Sequence, residues 1–135
     1  MKKISFLNIG ALCGALAVVL GAFGAHGLEN KLSPEQLATY RTGVDYHFYH
    51  AIVLLVIGFF EQQEQFQRLR RCGWLLLIGI LLFSGSLYLL ACREWLGLGN
   101  GWRFLGPLTP LGGLCFIVGW LSLLGVKKMP KLPAQ

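Results

Sequence analysis

Charge is what this sequence has least of. Only 13% of its 135 residues are Lys, Arg, Asp or Glu, about half of the ~25% usual in soluble domains. Long stretches carry none, so most of the chain cannot be covering itself with a water-facing surface. Catalytic signatures are missing too. There is no GxSxG, HExxH or phosphate-binding glycine loop, and a lone Asp near a His, with no nucleophile at a defined spacing, is not a triad. The expectation is therefore a non-enzymatic protein with no resident cofactor and no catalytic residue. The four cysteines, Cys13, Cys72, Cys92 and Cys115, show no CxxC or zinc spacing. They read as small apolar packing residues, with no metal site expected. Basic-aromatic modules are absent, so no nucleic-acid partner is expected. Broken helices or repeats around a midplane site, the mark of many transporters, are absent as well.

What the chain does have is oil. Just over half of it is hydrophobic, gathered in four runs: Ile4–Ala25, Val44–Phe60, Cys72–Cys92 and Pro110–Val126. About 20 helical residues cross the ~30 Å hydrocarbon layer. The first and third runs fit easily; the second and fourth, at 17 residues, sit near the short limit. A charge at the bilayer centre costs at least ~2.5 kcal/mol, which explains why the runs are so clean. The reading is an all-α, four-helix transmembrane bundle, residues 1–126, with a basic tail at 127–135. Lys2 and Lys3 before an apolar stretch imitate a secretory leader; we read that stretch as a retained first helix.

The scarce charges are unevenly placed. With four spans, both termini and the middle loop share one side. That side holds eight basic residues (Lys2, Lys3, Arg68, Arg70, Arg71, Lys127, Lys128, Lys131) and two acidic ones (Glu61, Glu64). The other side holds four of each, so the whole formal charge of +6 falls on one face. The positive-inside rule then puts both termini in the cytoplasm, N-in and C-in, of a bacterial inner membrane protein. The basic surplus suits anionic headgroups, which makes membrane lipids the expected partners.

Local signals refine the picture. Gly10 and Gly14 form a GxxxG pair and Gly21 with Ala25 repeats the spacing, a small-residue face on which helices approach closely and a copy of the chain could pack. Ser33-Pro34-Glu35-Gln36 is a capping box with proline in the first turn. From Pro34 to Phe60 only Gly43 interrupts, about 40 Å of helix. The first part must therefore be an interfacial segment before the second span, with a bend near Gly43 as an alternative. Arg41 and Asp45 stand at i,i+4. Asn100-Gly101 marks a turn. Trp95, Trp102 and Phe104 suit the headgroup level. Thr109-Pro110 looks like a second cap-plus-proline start. Around Ser84-Gly85-Ser86, either close packing on Gly85 or serine hydrogen bonds to carbonyls or a neighbouring helix is expected.

Polar side chains collect in the outer half: His26, Arg41, Asp45, Tyr46, His47, His50, Ser84, Ser86, Arg103 and Thr109. At that depth such groups turn inward and satisfy one another. Three arrangements are open. One is a structural hydrogen-bond network, making the protein a structural or lipid-interacting component or a small partner subunit. Another is a pocket for an anionic headgroup or small anion, using Arg103, Arg93 or a helix N-terminus. The third is a haem or metal held by His26 with His47 or His50.

Four motifs in order, GAFGAHGL (Gly21 to Leu28), TG..Y...H (Thr42, Gly43, Tyr46, His50), FSGSLY (Phe83 to Tyr88) and GPLTPLGG (Gly106 to Gly113), resemble the YgdD/YwdK family of small bacterial inner-membrane proteins. The resemblance covers nearly the whole chain up to Val126. It implies a four-helix integral membrane protein and carries no activity or catalytic residue with it, because the family is known as one of unknown function.

Overall fold

The structure is a computed structural model that describes residues 5–60, 66–99, 102 and 105–124. Among these residues the secondary structure is helical throughout, in four antiparallel rods. The first is α1 (Phe6–Ala22), which runs on through a π turn at Phe23–Gly27. The second is α2 (Pro34–Phe59). The third is built of α3 (Phe66–Gly79), a π turn (Ile80–Ser84) and α4 (Gly85–Cys92). The fourth is α5 (Leu108–Leu123). Three of the rods are long and apolar enough to cross a membrane; α5, with 16 residues, is shorter, about 24 Å at the usual rise.

Helix starts follow from side chains that replace missing backbone partners. Ser5 Oγ accepts the Leu7 N–H at 3.2 Å. At α2 the capping box closes on both sides: Ser33 Oγ accepts the Gln36 N–H at 3.2 Å, and Gln36 Oε1 accepts the Ser33 N–H at 2.9 Å. Helix α2 then continues through Gly43 without a break. The reason is packing: the Tyr88 ring lies where a Gly43 side chain would begin, 3.0 Å from an ideal Cβ.

The fourth rod differs from expectation. Its cap is Pro107, and α5 starts at Leu108, not after Thr109. Pro107 has the fixed φ that starts a helix, and it and Pro110 both lack an N–H. Two of the four donors that a helix start leaves unpaired are thus absent altogether. No side chain is needed as a cap, and the Thr109 hydroxyl is released to bond Ser86 at 2.7 Å. The two π turns were also not visible in the sequence. The second lies where the α5 backbone at Gly112 touches Phe83 N and Cα, so a close helix crossing coincides with the wider turn.

Helices α1 and α2 interlock through one glycine each. Gly10 faces the Leu54–Leu55 backbone, with an ideal Cβ 2.6 Å from Leu55 N, and Gly58 faces the Phe6–Leu7 backbone. Gly14, the partner in the GxxxG reading, meets nothing within 4 Å, and Gly85 likewise. Further along the first rod Gly21 meets Val44 and Gly24 meets Tyr40, so Gly14 is the member of the small-residue pattern that takes no part. At one end Phe6, Leu54, Ile57, Cys72, Leu76, Ile80 and Phe116 form a core; at the other, Leu28, Leu32, Leu37, Tyr40, Ala91 and Cys92 form a second. Apolar residues also face outward on the peripheral rods, among them Leu12, Val19, Ile117 and Leu121. An outer surface this apolar belongs against hydrocarbon.

Candidate functional site

Several polar side chains are arranged in steps down α2, meeting partners on the neighbouring rods and turns. At the N-terminal end of α2 Gln36 Nε2 donates to Glu94 Oε2 at 2.8 Å, tying the start of α2 to the turn after α4. Arg93 pairs with Glu94 at 3.6 Å, and Lys31 lies 4.8 Å above the Trp95 ring. One turn further in, Tyr40 donates to the Leu20 carbonyl at 3.0 Å. Its ring rests against Gly24, where an ideal Cβ would be 2.7 Å away. The Tyr40 and Tyr88 rings are 5.0 Å apart.

His47 is the next step. It is 4% exposed, and its Nδ1 lies 3.2 Å from the Tyr88 hydroxyl. Beside this pair, Ser86 donates to the Phe83 carbonyl at 2.9 Å and meets Thr109 across the gap to α5. Both serine bonds anticipated for the Ser84-Gly85-Ser86 segment thus fall on Ser86. Ser84 is fully buried with its hydroxyl unpartnered.

His50 lies about 4.5 Å deeper than His47 along the helix, and its wiring fixes its chemistry. Trp120 Nε1–H, which can only donate, reaches His50 Nε2 at 3.2 Å. Nε2 is therefore the acceptor, and the ring proton sits on Nδ1, which donates to the Tyr46 carbonyl at 2.6 Å. Both nitrogens of a neutral imidazole are used. The ring also stacks on Phe116, with centroids 3.6 Å apart and planes 7° from parallel. As placed, His50 has no lone pair left for a metal.

The residues singled out in the sequence thus fall into groups. Tyr46, through its carbonyl, joins His50; Ser86 joins Thr109; His47 joins Tyr88. His26 is exposed at the end of the first rod, whereas His47 and His50 are buried. Among the described residues no cluster of three His, Cys, Asp or Glu is close enough to hold a metal ion. Arg103, Phe104 and the Asn100-Gly101 turn lie outside the described residues, as do the terminal basic residues. Trp120 and Phe116 complete the network without having been singled out as site residues. A tryptophan well inside an apolar helix was the available signal, since its N–H requires an acceptor there.

Arg41 and Asp45 are the exception. Both are exposed, and they do not form the expected i,i+4 ion pair; the pair found among the described residues is Arg93–Glu94. They flank a groove between α1 and α2. Its outer part, about 210 Å³, is lined by Gly21, Gly24, Ala25, Tyr40, Arg41, Val44 and Asp45. The part continuing inward, about 420 Å³, runs past Ala17, Val18, Val44 and Phe48 to Tyr49 and shares Asp45. A second open groove, about 590 Å³, lies between α2 and α5 over His50, Phe116 and Trp120.

Comparison with known proteins agrees with this architecture. A family described as "Protein of unknown function (DUF423)" matches residues 20–113. The UPF0382 membrane protein YwdK of Bacillus subtilis is 44% identical over 119 residues, 87% of this chain and 91% of its own length. A UPF0382 membrane protein of Staphylococcus haemolyticus is also 44% identical, over 88% and 91%. One from Haemophilus influenzae is 40% identical over 90% and 91%. No solved structure matches.

Proposed function

The chain belongs to the DUF423 family, a group with members named as membrane proteins, and from that premise we propose that it is a non-enzymatic, lipid-interacting component of the bacterial cytoplasmic membrane. The observation that carries this reading is the division of its polar groups. Inside the bundle His50 is paired with Tyr46 and Trp120, His47 with Tyr88 and Ser86 with Thr109, the fully buried Ser84 hydroxyl being the exception. His50 borders the α2–α5 groove, but both of its ring nitrogens are engaged, so it is not an activated base there. The accessible features are two laterally open, mostly apolar grooves on either side of α2, and apolar grooves opening sideways from a membrane rod are met by acyl chains. The basic surplus of one face supports contact with anionic headgroups on the cytoplasmic side.

Purification in a mild detergent followed by native mass spectrometry tests this. Phospholipid adducts should survive release from the micelle, and adding lipid back to a delipidated sample should raise its melting temperature. A protein that sheds all lipid and melts at the same temperature with or without it would overturn the reading.

A further inference from the structure

We propose that the outer end of the α1–α2 groove recognises a zwitterionic aminophospholipid, with the headgroup phosphate on Arg41 and the headgroup ammonium on Asp45. This rests on the lipid-interacting reading above and names the lipid class. The two charges stand one helical turn apart on the same lip of the groove, both exposed and unpaired with each other. A carboxylate on a lipid-facing side of α2 is costly unless a cation meets it. Arg41 is on the same element but has not closed on it, and His26 and the Tyr40 hydroxyl are placed elsewhere: His26 at the exposed end of the first rod, Tyr40 on the Leu20 carbonyl.

The chemistry of the lip selects among headgroups. A guanidinium forks onto a phosphate, and a carboxylate takes charge-assisted hydrogen bonds from a primary ammonium. A glycerol headgroup offers Asp45 no cation. A choline headgroup offers a cation without N–H donors. Below the lip the groove continues inward over Ala17, Gly21 and Ala22, whose small side chains leave the depression that Val44, Phe48 and Tyr49 border on α2. Asp45 borders both parts of the groove, so an acyl chain lying there passes beside it and continues from a headgroup at the lip. Side chains of a helix tilt toward its N-terminus, which for α2 is the outer end, so both charged groups lean toward the headgroup layer.

The test is native mass spectrometry of the intact protein equilibrated in detergent with equal amounts of phosphatidylethanolamine, phosphatidylglycerol and phosphatidylcholine of matched chains. The ethanolamine lipid should be retained about tenfold over the others, the ratio expected for one additional charge-assisted contact. Asp45→Asn should abolish that preference while leaving total lipid retention, and Arg41→Gln should lower retention of all three. Both positions are exposed, and unchanged melting temperatures of the lipid-free variants establish that the fold is intact. Equal retention of the three lipids, or a preference that survives Asp45→Asn, overturns the headgroup assignment but leaves the lipid-interacting reading in place. Loss of every lipid from the wild type overturns both. A dimer that Asp45→Asn splits into monomers also overturns the assignment, because the carboxylate is then met by a second copy of the chain.

Discussion

His50 uses its ring in three ways at once: as a donor along its own helix, as an acceptor from α5, and as a flat surface against Phe116. Each use fixes a different degree of freedom of the fourth rod. The Trp120 bond sets its rotation, the Phe116 stack its distance, and the Tyr46 carbonyl holds the imidazole in the tautomer that both require. Replacing His50 with alanine removes the stack and leaves an indole N–H without an acceptor, and should cost about 2–4 kcal/mol. Trp120→Phe deletes a single interhelical hydrogen bond and should cost only about 0.6–1 kcal/mol. Denaturation of the two variants in mixed micelles, followed by circular dichroism, gives both values; equal effects would mean that the stack contributes little. The sequence singled out His50 as a member of a polar cluster. It could not show that its partner would be Trp120, because helical periodicity identifies a face but not the neighbour that meets it.

Contacts between elements depend on where side chains are missing. Gly58 and Gly10 let the α1 and α2 backbones touch, whereas Gly14, on the same helix as Gly10 and one turn away, faces open space. Gly58→Ala places a methyl group against the Phe6–Leu7 backbone and should destabilise the protein by about 1–3 kcal/mol. Gly14→Ala meets nothing and should stabilise α1 by up to about 1 kcal/mol through helix propensity alone. Thermal melts of the two purified variants should shift in opposite directions; a loss at Gly14 matching that at Gly58 would indicate a partner packed on the outer face of α1. The existence and order of these elements were legible because lipid imposes a length and forbids charge. The capping box at Ser33 was legible because caps are local chemistry. The start of α5 was misread at Thr109 because two prolines remove the need for a capping side chain. The π turns were hidden because tertiary contact, at Phe83 against Gly112, accompanies the departure from the ordinary helical pitch.

At the level of the whole molecule, the start of the first rod shares a core with the third and fourth rods. Phe6 shares a core with Cys72 and Phe116, and Cys72 Sγ bonds the Gly119 carbonyl at 3.2 Å. The eight basic residues assigned to that end predict a cytoplasmic C-terminus. A fluorescent protein fused after Gln135 should fluoresce and an alkaline phosphatase fused there should be inactive; the opposite pattern would invert the orientation. Replacing Lys127, Lys128 and Lys131 by glutamine should weaken the bias, read as a mixed population of fusions. The number of helical rods was open to inspection in the sequence because it depends on summed hydrophobicity. The grooves beside α2 were not, because a concavity exists only once two rods have been set at a particular distance.

The first rod has its long contact with α2, with aromatic ties at its two ends, Phe6 to Trp74 at 5.4 Å and Phe23 to Trp95 at 6.5 Å. Its principal neighbour is therefore also the next segment to leave the ribosome. The glycine interlock requires nothing made later, so the opening hairpin is able to settle in the bilayer while the remainder of the chain is still being translated. The aromatic ties then fasten it once the third rod arrives. Assembly order is in this sense written into adjacency: the helix most exposed to lipid is the one whose partner is born soonest after it.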